Sequence, residues 1–430
     1  MTKNYRPLET QFERFSVISQ LLCALLFFRL PALNQYFRSL LSTLPTFASR
    51  ARSHANSSVR SIFVASVILL AACAQIPHLP ADAPDSLRIA TFQTMADRVM
   101  ARGISPEGPG LAVLVKMNGR VVYEGAAGMA DRIRGVRITG KTTFELASAS
   151  KPLTASAVLK LVEAGSIYLD DSAKKWLPDL PNDWSEITVR DLLTHQSGIP
   201  DYMVGMAIRD APRLLDGLTN EMLTARWRAS PALLFTPGSR SQYSNSNFVL
   251  LAEIVAIASG RPFADYLAGE IFAISGMQDS YVDGSTRSAG SSAALNYADV
   301  ELTNGIRLRT EGPTGICSSV EDLSNWLAAL LDGRLVSLNM LQQMTAPQSF
   351  GPVFEDGERY GYGWALPAVG DQRDTFAHAG QKDGFRSIVF VDRERNVDYV
   401  ILSNGGEALV PVATEIRYLI QVLLQQGNRQ

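Results

Sequence analysis

Cysteine and histidine are scarce in this chain of 430 residues, which contains three cysteines and four histidines. Cys23, Cys73 and Cys317 are odd in number and scattered, so the sequence does not predict a disulfide framework. The histidines do not stand at metal-site spacing from other ligand residues, and we therefore expect no bound metal. We also expect no cofactor.

A clustered basic face is also missing. The chain has 40 Lys and Arg residues against 42 Asp and Glu residues, and its net charge is -2. The charge is uneven, because residues 1–73 are basic and the remainder is mildly acidic. Without a basic cluster we expect no nucleic-acid partner. The hydrophobic content of 46% is that of an ordinary globular protein.

A short apolar run at residues 62–70 follows Arg60 and ends in Leu70-Ala71-Ala72-Cys73. A basic flank, an apolar stretch and a small-residue ending predict a secretory signal at residues 59–73. The ending resembles a bacterial lipobox, which implies acylation of Cys73. We therefore expect a periplasmic protein, anchored by lipid to the outer membrane. The alternative is a buried cysteine at the end of an apolar helix.

Residues 1–58 form a basic extension ahead of that signal. One explanation is a misassigned start, with the true initiator near Val59, and the other is a genuine extension. Residues 74–85 are rich in proline and predict a linker. The main domain is then expected at residues 86–430.

Helix and strand patterns alternate unevenly along the main domain. We predict helices at 86–101, 148–164, 188–195, 246–259, 319–331 and 410–425. A hairpin is predicted at 111–125 with Asn118-Gly119 as its turn, and strands at 360–366, 375–378, 385–392 and 399–403. This order indicates an α+β fold: an antiparallel sheet flanked by the N- and C-terminal helices, with an inserted helical subdomain. Residues 86–147 and 353–430 would form the α/β part, and 148–352 the helical part.

Ser148 stands one helical turn before Lys151, at the expected start of a helix. Positions i and i+3 share a helix face, so the lysine amine can lie beside the serine hydroxyl. A serine needs a base to become a nucleophile, and the lysine must be neutral to act as one. Ser172 and Lys175 repeat the spacing, but they follow Asp170-Asp171 in a polar connection. Such a match alone is most often a solvated face.

Tyr243-Ser244-Asn245 is the only Tyr-x-Asn string in the chain. Between cationic or donor groups, Tyr243 would lose its proton more easily and relay protons between Ser148 and a leaving group. Asn245 offers an acceptor and donors, which suit a substrate amide and Lys151. The alternative is a tyrosine packed on the core beside a turn asparagine.

His378-Ala379-Gly380 is expected to end a strand. Gly380 would let a ligand approach the backbone, and the N–H of Gln381 could join that of Ser148 as an oxyanion hole. His378 could donate a hydrogen bond to a substrate carboxylate or carbonyl. The alternative is a histidine at the end of a strand, in a polar connection, with no role in binding. In the turn 194–200, His195 and Ser197 lie close in sequence but face apart, so we expect His195 to support a loop.

These strings together resemble the serine β-lactamase-like superfamily, which includes class C β-lactamases, DD-peptidases, family VIII esterases and D-aminopeptidases. The resemblance covers residues 86–425 and is carried by FELASASK (144–151), ITVRDLLTHQSGIP (187–200), FTPG (235–238), YSN (243–245), YGYGW (360–364) and HAG (378–380). It implies Ser148 as the acylated nucleophile and Lys151 and Tyr243 as proton-transfer groups. It also implies Asn245 as a substrate contact and the strand of His378 and Gly380 as the binding edge.

One position departs from the antibiotic-hydrolysing members. Efficient class C β-lactamases have Lys-Thr-Gly where this chain has His378-Ala379-Gly380, and their lysine recognises the drug's carboxylate. We therefore expect a hydrolase that forms an acyl-enzyme on an ester, or on an amide or peptide that contains a D-amino acid. The alternatives are a weak β-lactamase and a penicillin-binding relative without turnover.

Overall fold

The structure is a computed structural model that describes residues 83–205, 217–228, 232–284, 293–295, 309–349, 351–354, 357–368, 371 and 373–425. The chain divides into two compact units, and Pro84–Gln430 is the one considered below. The predicted extension 1–58, the signal 59–73 with Cys73, and residues 74–82 of the linker lie outside the described residues. The division of 86–430 into two parts stays a prediction.

Helices dominate the middle of the chain. The α-helices are α1 (Asp85–Gly103), α2 (Lys151–Glu163), α3 (Ala173–Trp176), α4 (Val189–Leu193), α5 (Tyr202–Gly205), α6 (Asn220–Trp227), α7 (Asn245–Ser259), α8 (Phe263–Tyr266), α9 (Ala273–Ser275), α10 (Val320–Leu331), α11 (Leu338–Met344) and α12 (Val410–Gln425). A π-helix, Leu267–Phe272, joins α8 to α9, and short 3-10 turns cover Ala147–Ser150, Asn182–Trp184 and Gly406–Leu409.

The strands lie mostly on either side of that helical region, and two short ones lie within it. They are β1 (Leu111–Met117), β2 (Arg120–Ala127), β3 (Met129–Asp131), β4 (Val136–Arg137), β5 (Phe144–Glu145), β6 (Tyr281–Val282), β7 (Ile316–Ser318), β8 (Glu358–Tyr360), β9 (Ala365–Ala368), β10 (Thr375–Lys382), β11 (Phe385–Asp392) and β12 (Val397–Ser403). Each predicted helix of the main domain is present within three residues at each end.

The main sheet has seven strands in the order β2-β1-β12-β11-β10-β9-β8, and its paired neighbours are antiparallel. Every residue of β12 is buried, so both faces of the sheet centre are covered, since side chains alternate along a strand. Helix α1 packs against α12 and β2, and α10 packs against β1 and β12. The predicted α+β fold with paired terminal helices is confirmed.

The hairpin of β1 and β2 forms where the sequence predicts it. Asn118 and Gly119 have φ of +53° and +72°, which is the left-handed conformation that a type I′ turn requires. The strands pair from Met117↔Arg120 to Leu111↔Ala127, with one register shift. This hairpin extends the sheet beyond β12.

The predicted strand 360–366 is wrong. Two short strands, β8 and β9, occupy the region, and residues 361–364 form the turn between them. Gly361 N–H donates to Trp364 O within this turn, while Tyr362 N–H donates to Met344 O. The aromatic residues are buried on the core, so the apolar pattern reflects packing of a turn instead of an extended strand.

No single helix among the described residues is long and apolar enough to cross a bilayer. Helix α7 and the run Phe263–Ser275, bent by 72°, meet that test only as a pair, by length and composition.

Candidate active site

Ser148 lies in the 3-10 turn that leads from β5 into α2. Ala147, just before it, has a φ of +50°, which is unusual for a residue with a side chain. Glu145 Oε1 holds this bend by accepting the N–H of Ala147 at 3.1 Å and that of Gly315 at 2.9 Å. Pro152 sits in the first turn of α2, where its missing N–H costs nothing. Ser148 itself is partly exposed, while its neighbours in the turn are buried.

Lys151 is fully buried at the start of α2 and surrounded by acceptors. Its Nζ lies 3.0 Å from Ser148 Oγ, 2.7 Å from Asn245 Oδ1 and 3.2 Å from Pro313 O. Burial lowers the pKa of Lys151 to about 7, because an ammonium loses its hydration inside the protein. A large fraction of the lysine is therefore neutral at neutral pH, as a general base must be.

Charged groups around Lys151 oppose one another. Asp201 and Glu145 favour its protonated form and raise its pKa against the dominant effect of burial. On the other side are two buried histidines, His195 and His378, and Lys151 acts with burial to lower the pKa of each. Both imidazoles are therefore neutral, so the site has no second cation next to the base among these neighbours.

Tyr243 lies between the nucleophile and the histidine His195. Lys151 Nζ lies over the Tyr243 ring, 4.8 Å from its centroid, and the tyrosine side chain hydrogen-bonds to Ser148. Burial raises the pKa of Tyr243 and outweighs the hydrogen bond with Ser148, which lowers it, so the tyrosine does not lose its proton more easily as we expected. A neutral tyrosine O–H can donate a proton and a neutral lysine amine can accept one, so the proton-transfer roles of Tyr243 and Lys151 stay a prediction.

Asn245 connects Lys151 to a carboxylate that the sequence analysis missed. Its Oδ1 accepts from Lys151, as predicted, and its Nδ2 donates to Asp201 Oδ2 at 2.9 Å. The backbone N–H of Asn245, the first residue of α7, donates to the same oxygen at 3.2 Å. One amide hydrogen is thus committed to Asp201. Contact between Asn245 and a substrate stays a prediction.

His195 supports the loop that carries Tyr243. Its Nδ1 faces the N–H of Ser244 and Asn247 Nδ2, both at 3.2 Å, and its ring lies 4.4 Å from that of Tyr243. Ser197 Oγ donates to Asn247 Oδ1 at 2.6 Å and is buried. His195 and Ser197 therefore form no nucleophile pair, in agreement with the supporting role that we expected.

His378 is not placed to donate to a substrate, so that expectation is wrong. The side chain is 3% exposed and its two ring nitrogens lie 2.8 Å from Tyr360 Oη and 2.8 Å from Ala379 O. Burial lowers its pKa to about 3, so the ring is neutral. With Nδ1–H donated to Ala379 O, Nε2 accepts from Tyr360. The residue positions the strand from inside the core.

Strand β10 continues to Lys382, so His378-Ala379-Gly380 does not end it. Gly380 lies inside the strand and against the nucleophile segment. A β-carbon there would lie 2.2 Å from Leu146 O and 2.9 Å from Ser148 N. Only glycine therefore lets the strand and the serine backbone approach this closely.

Gln381 follows in the same strand. Asp383 and Gly384, with φ of +47° and +84°, form the two-residue turn into β11. In such a hairpin the flanking pair Lys382↔Phe385 exchanges hydrogen bonds, and the next pair does not. The N–H of Gln381 therefore points away from β11. This direction suits an oxyanion hole, which stays a prediction.

Three groups at the site escaped the sequence analysis. Asp201 directly follows the string 187–200 and Glu145 lies within the string 144–151, but neither has a partner at a recognisable spacing. Pro313 O comes from a loop 162 residues away in sequence. Across the part of the chain that the structure describes, no three His, Cys, Asp or Glu side chains could hold a metal ion.

Comparisons with known proteins identify relatives of this chain. Penicillin-binding protein 4* of Bacillus subtilis (strain 168) is 28% identical over 344 residues, covering 74% of this chain and 71% of the relative. A D-aminopeptidase of Brucella anthropi is 29% identical over 310 residues, covering 69% of this chain but only 56% of the relative.

Solved structures of similar proteins share the fold. The penicillin-binding protein from Bacillus halodurans superimposes with a TM-score of 0.66 at 26% identity, covering 75% of this chain and 98% of that one. The D-amino acid amidase from Ochrobactrum anthropi SV3 gives 0.62 at 26% identity, covering 78% and 99%. Residues 92–424, more than half of the chain, match the sequence profile of the Beta-lactamase family. The chain therefore belongs to the Beta-lactamase family, as a hydrolase related to penicillin-binding proteins and D-aminopeptidases.

Proposed function

We propose that the protein hydrolyses esters, or amides and peptides that contain a D-amino acid, through an acyl-enzyme on Ser148. The observation that carries this proposal is the environment of Lys151. A fully buried lysine whose pKa is lowered to about 7 lies 3.0 Å from the serine oxygen. Any buried amine needs hydrogen-bond partners, and what suits this one to act as a base is that one of its three partners is the serine hydroxyl.

Acylation begins with neutral Lys151. Its nitrogen takes the proton of Ser148 as the serine oxygen bonds to the substrate carbonyl carbon. The carbonyl oxygen becomes an oxyanion, and the N–H groups of Ser148 and Gln381 are the proposed donors to it. Tyr243 then gives its proton to the departing amine or alcohol and regains one from Lys151, so the acyl-enzyme forms with the lysine neutral again.

Deacylation repeats these steps with water as the nucleophile. Water loses a proton to the same relay, the carbonyl carbon bonds to the water oxygen, and Ser148 leaves with a proton returned to it. The products are a carboxylic acid and the free serine. Because one relay serves both halves, loss of Lys151 or Tyr243 affects acylation and deacylation together.

The proposed substrate class rests on what stands at position 378. Efficient class C β-lactamases have a carboxylate-recognising lysine there, whereas His378 is buried, neutral and bonded through both nitrogens. A substrate that needs a cation at this position gains nothing from it. The relatives include a D-aminopeptidase and a D-amino acid amidase, which supports an amide or ester substrate without that carboxylate.

A substrate panel tests the proposal. We expect turnover of p-nitrophenyl esters or D-amino-acid p-nitroanilides, and no turnover of L-amino-acid p-nitroanilides. Intact mass after treatment with a fluorophosphonate should rise by one adduct, which peptide mapping places on Ser148. The proposed function would be excluded if the fluorophosphonate does not label the wild-type protein and the protein turns over none of the substrates.

A weak β-lactamase, or a penicillin-binding relative without turnover, is the second candidate. The similarity to penicillin-binding proteins favours it. Nitrocefin separates the possibilities: a stoichiometric burst without steady state indicates acylation only, while sustained hydrolysis faster than that of the best ester indicates a β-lactamase. We expect at most a burst followed by slow turnover.

A further inference from the structure

We propose that Asp201 is a positioning residue for acyl transfer: it fixes the orientation of the Asn245 amide and, through it, the direction of the Lys151 lone pair. This inference rests on the proposed function, because it concerns the same nucleophile and base. Asp201 does not touch Ser148, so it acts through the residues between them.

The contacts of Asp201 define this role. Its Oδ2 accepts both the backbone N–H and the Nδ2 of Asn245, at 3.2 and 2.9 Å. Its Oδ1 accepts the N–H of Met203 at 2.8 Å. The adjoining chain is attached to the same helix start, since Tyr202 N–H donates to Ser246 Oγ at 3.0 Å. Asp201 is thereby fixed at the beginning of α7.

The two ends of an amide are chemically different. A carboxylate only accepts, so Asp201 can pair with the Nδ2 end of Asn245 and not with its oxygen. The oxygen must then point the other way, and it lies 2.7 Å from Lys151 Nζ. The orientation of the asparagine is therefore determined by the carboxylate behind it.

A neutral amine has two N–H donors and one lone pair. Around Lys151 the two acceptors Asn245 Oδ1 and Pro313 O can take both hydrogens. The lone pair is left for the third neighbour, the Ser148 hydroxyl at 3.0 Å. If the amide of Asn245 were reversed, its Nδ2 would donate to that lone pair and occupy the base.

Asp201 also contributes charge. The groups that face Lys151 are the carboxylates Asp201 and Glu145, the neutral imidazoles of His195 and His378, and the phenol of Tyr243. Of the two carboxylates, Asp201 has the larger effect, and it raises the pKa of Lys151 against burial. Removing its charge should lower that pKa further.

The test is the pH dependence of Ser148 acylation by a fluorophosphonate, measured for the full chain and for Asp201→Asn. An amide at 201 has only one oxygen, so it cannot accept both from Asn245 and from the N–H of Met203, and one of the two contacts is lost. We expect the acylation rate on the high-pH plateau to fall about 10-fold to 100-fold. The acid limb, which is the part of the profile where the rate rises with pH, should move to lower pH by about half a unit. Asp201→Ser, which keeps a cap for α7 without the carboxylate, should move the limb in the same direction.

Asp131→Asn is the matched control. Asp131 also accepts two backbone N–H groups, those of Ile133 and Arg134, at 2.8 and 3.0 Å, and it does not contact the catalytic atoms. The same exchange there should leave the acid limb in place. A purely structural role of Asp201 would lower the melting temperature as this control does, without moving the limb.

The exchange Asp201→Asn/Asn245→Asp separates pairing from orientation. It restores a carboxylate–amide pair, and the carboxylate at 245 presents an oxygen to Lys151 in either orientation, so the plateau rate should recover relative to Asp201→Asn. Its charge lies directly against Lys151, so the acid limb should move to higher pH than in wild type. A double variant whose plateau rate stays as low as that of Asp201→Asn would overturn the inference. The inference would also be overturned if fluorophosphonate labels the wild type but the acid limbs of Asp201→Asn and Asp201→Ser lie at the same pH as that of the wild type. A wild type that fluorophosphonate does not label excludes the proposed function instead.

Discussion

Segments 148–151 and 172–175 both read Ser-Ala-x-Lys, yet they hold their lysines in opposite environments. Lys151 is fully buried, with its amine beside Ser148 Oγ and two further acceptors. The Lys175 side chain is 49% exposed and pairs with Asp171 at 2.8 Å. Ser172 caps the four-residue helix α3 by accepting the N–H of Lys174.

The comparison shows that spacing brings a lysine near a serine, while burial decides whether it can act as a base. In the first segment a buried amine is kept from its hydration water, and its pKa falls. In the second, an exposed amine with a carboxylate partner keeps its hydration and makes an ordinary surface ion pair. The lowered pKa of the lysine beside Ser148 is therefore a property of the surrounding fold.

The largest expected contrast comes from removing each serine. Ser148→Ala should reduce kcat/KM by about 10⁴-fold or more, because the acyl group then has no oxygen to bond to. Ser172→Ala should change kcat/KM less than about twofold and reduce the free energy of unfolding by about 1 kcal/mol through loss of a cap. Kinetics with the best p-nitrophenyl ester and urea unfolding measure both. An adduct mapped to Ser172 or Ser197 would reverse the assignment.

Removing each lysine gives the next contrast. Lys151→Ala and Tyr243→Phe should each lower kcat by about 10³-fold, and the double variant little further, because the two share one proton relay. Lys175→Ala should leave kcat unchanged. A double variant whose loss equals the product of the two single losses would show that Lys151 and Tyr243 act independently.

Gly380→Ala should separate the strand from the nucleophile. The added methyl group collides with Leu146 O and lies 2.9 Å from Ser148 N, so the turn must shift. We expect kcat/KM to fall about 10-fold to 100-fold. Gly108→Ala is the control, since its β-carbon would meet only Ser105, with the side-chain Cβ at 3.1 Å and the backbone O at 3.6 Å. Equal effects of the two variants would argue against close packing at Gly380.

The pH dependence of kcat/KM should reflect Lys151 and not Lys175. Lys151 must be neutral to accept a proton and its pKa is about 7, so kcat/KM should rise as pH increases through about 7. Below that pH the rate should fall about tenfold per unit. Lys175→Ala should not move this limb. A rate that is flat from pH 5 to 8 would show that another group is the base.

The smallest effect on catalysis is expected from Cys73→Ser, which lies outside the described residues. We propose a periplasmic location with a lipid anchor at Cys73, because of the apolar run and Leu70-Ala71-Ala72-Cys73. The variant should leave kcat/KM unchanged but move the protein from the membrane fraction, or leave it unprocessed. A wild-type product with an intact Met1 in the soluble fraction would contradict the anchor.

Local chemistry made much of the fold predictable. Asn118-Gly119 predicts its turn because both residues tolerate positive φ, and the apolar periodicities of the long helices locate them within three residues. The turn 361–364 was mistaken for a strand because its aromatic residues are buried like those of a strand. The apolar pattern of so short a run does not distinguish a strand from a buried turn.

At the site, spacing within the chain was informative and contacts between distant segments were not. Lys151 beside Ser148 follows from a helical turn. Asp201 behind Asn245 depends on contacts 44 residues apart, and the buried orientation of His378 depends on Tyr360. The raised pKa of Tyr243 also depends on how deeply the folded chain covers it.

The left-handed bend at Ala147 has a consequence for protein engineering. An L-residue held at φ +50° costs about 1 kcal/mol that glycine would not, so Ala147→Gly is a direct candidate for thermostabilisation. The same exchange loosens the turn that aims Ser148, since glycine visits many conformations once the Glu145 clamp opens. Libraries selected for heat resistance should enrich glycine at 147, and libraries selected for turnover should eliminate it.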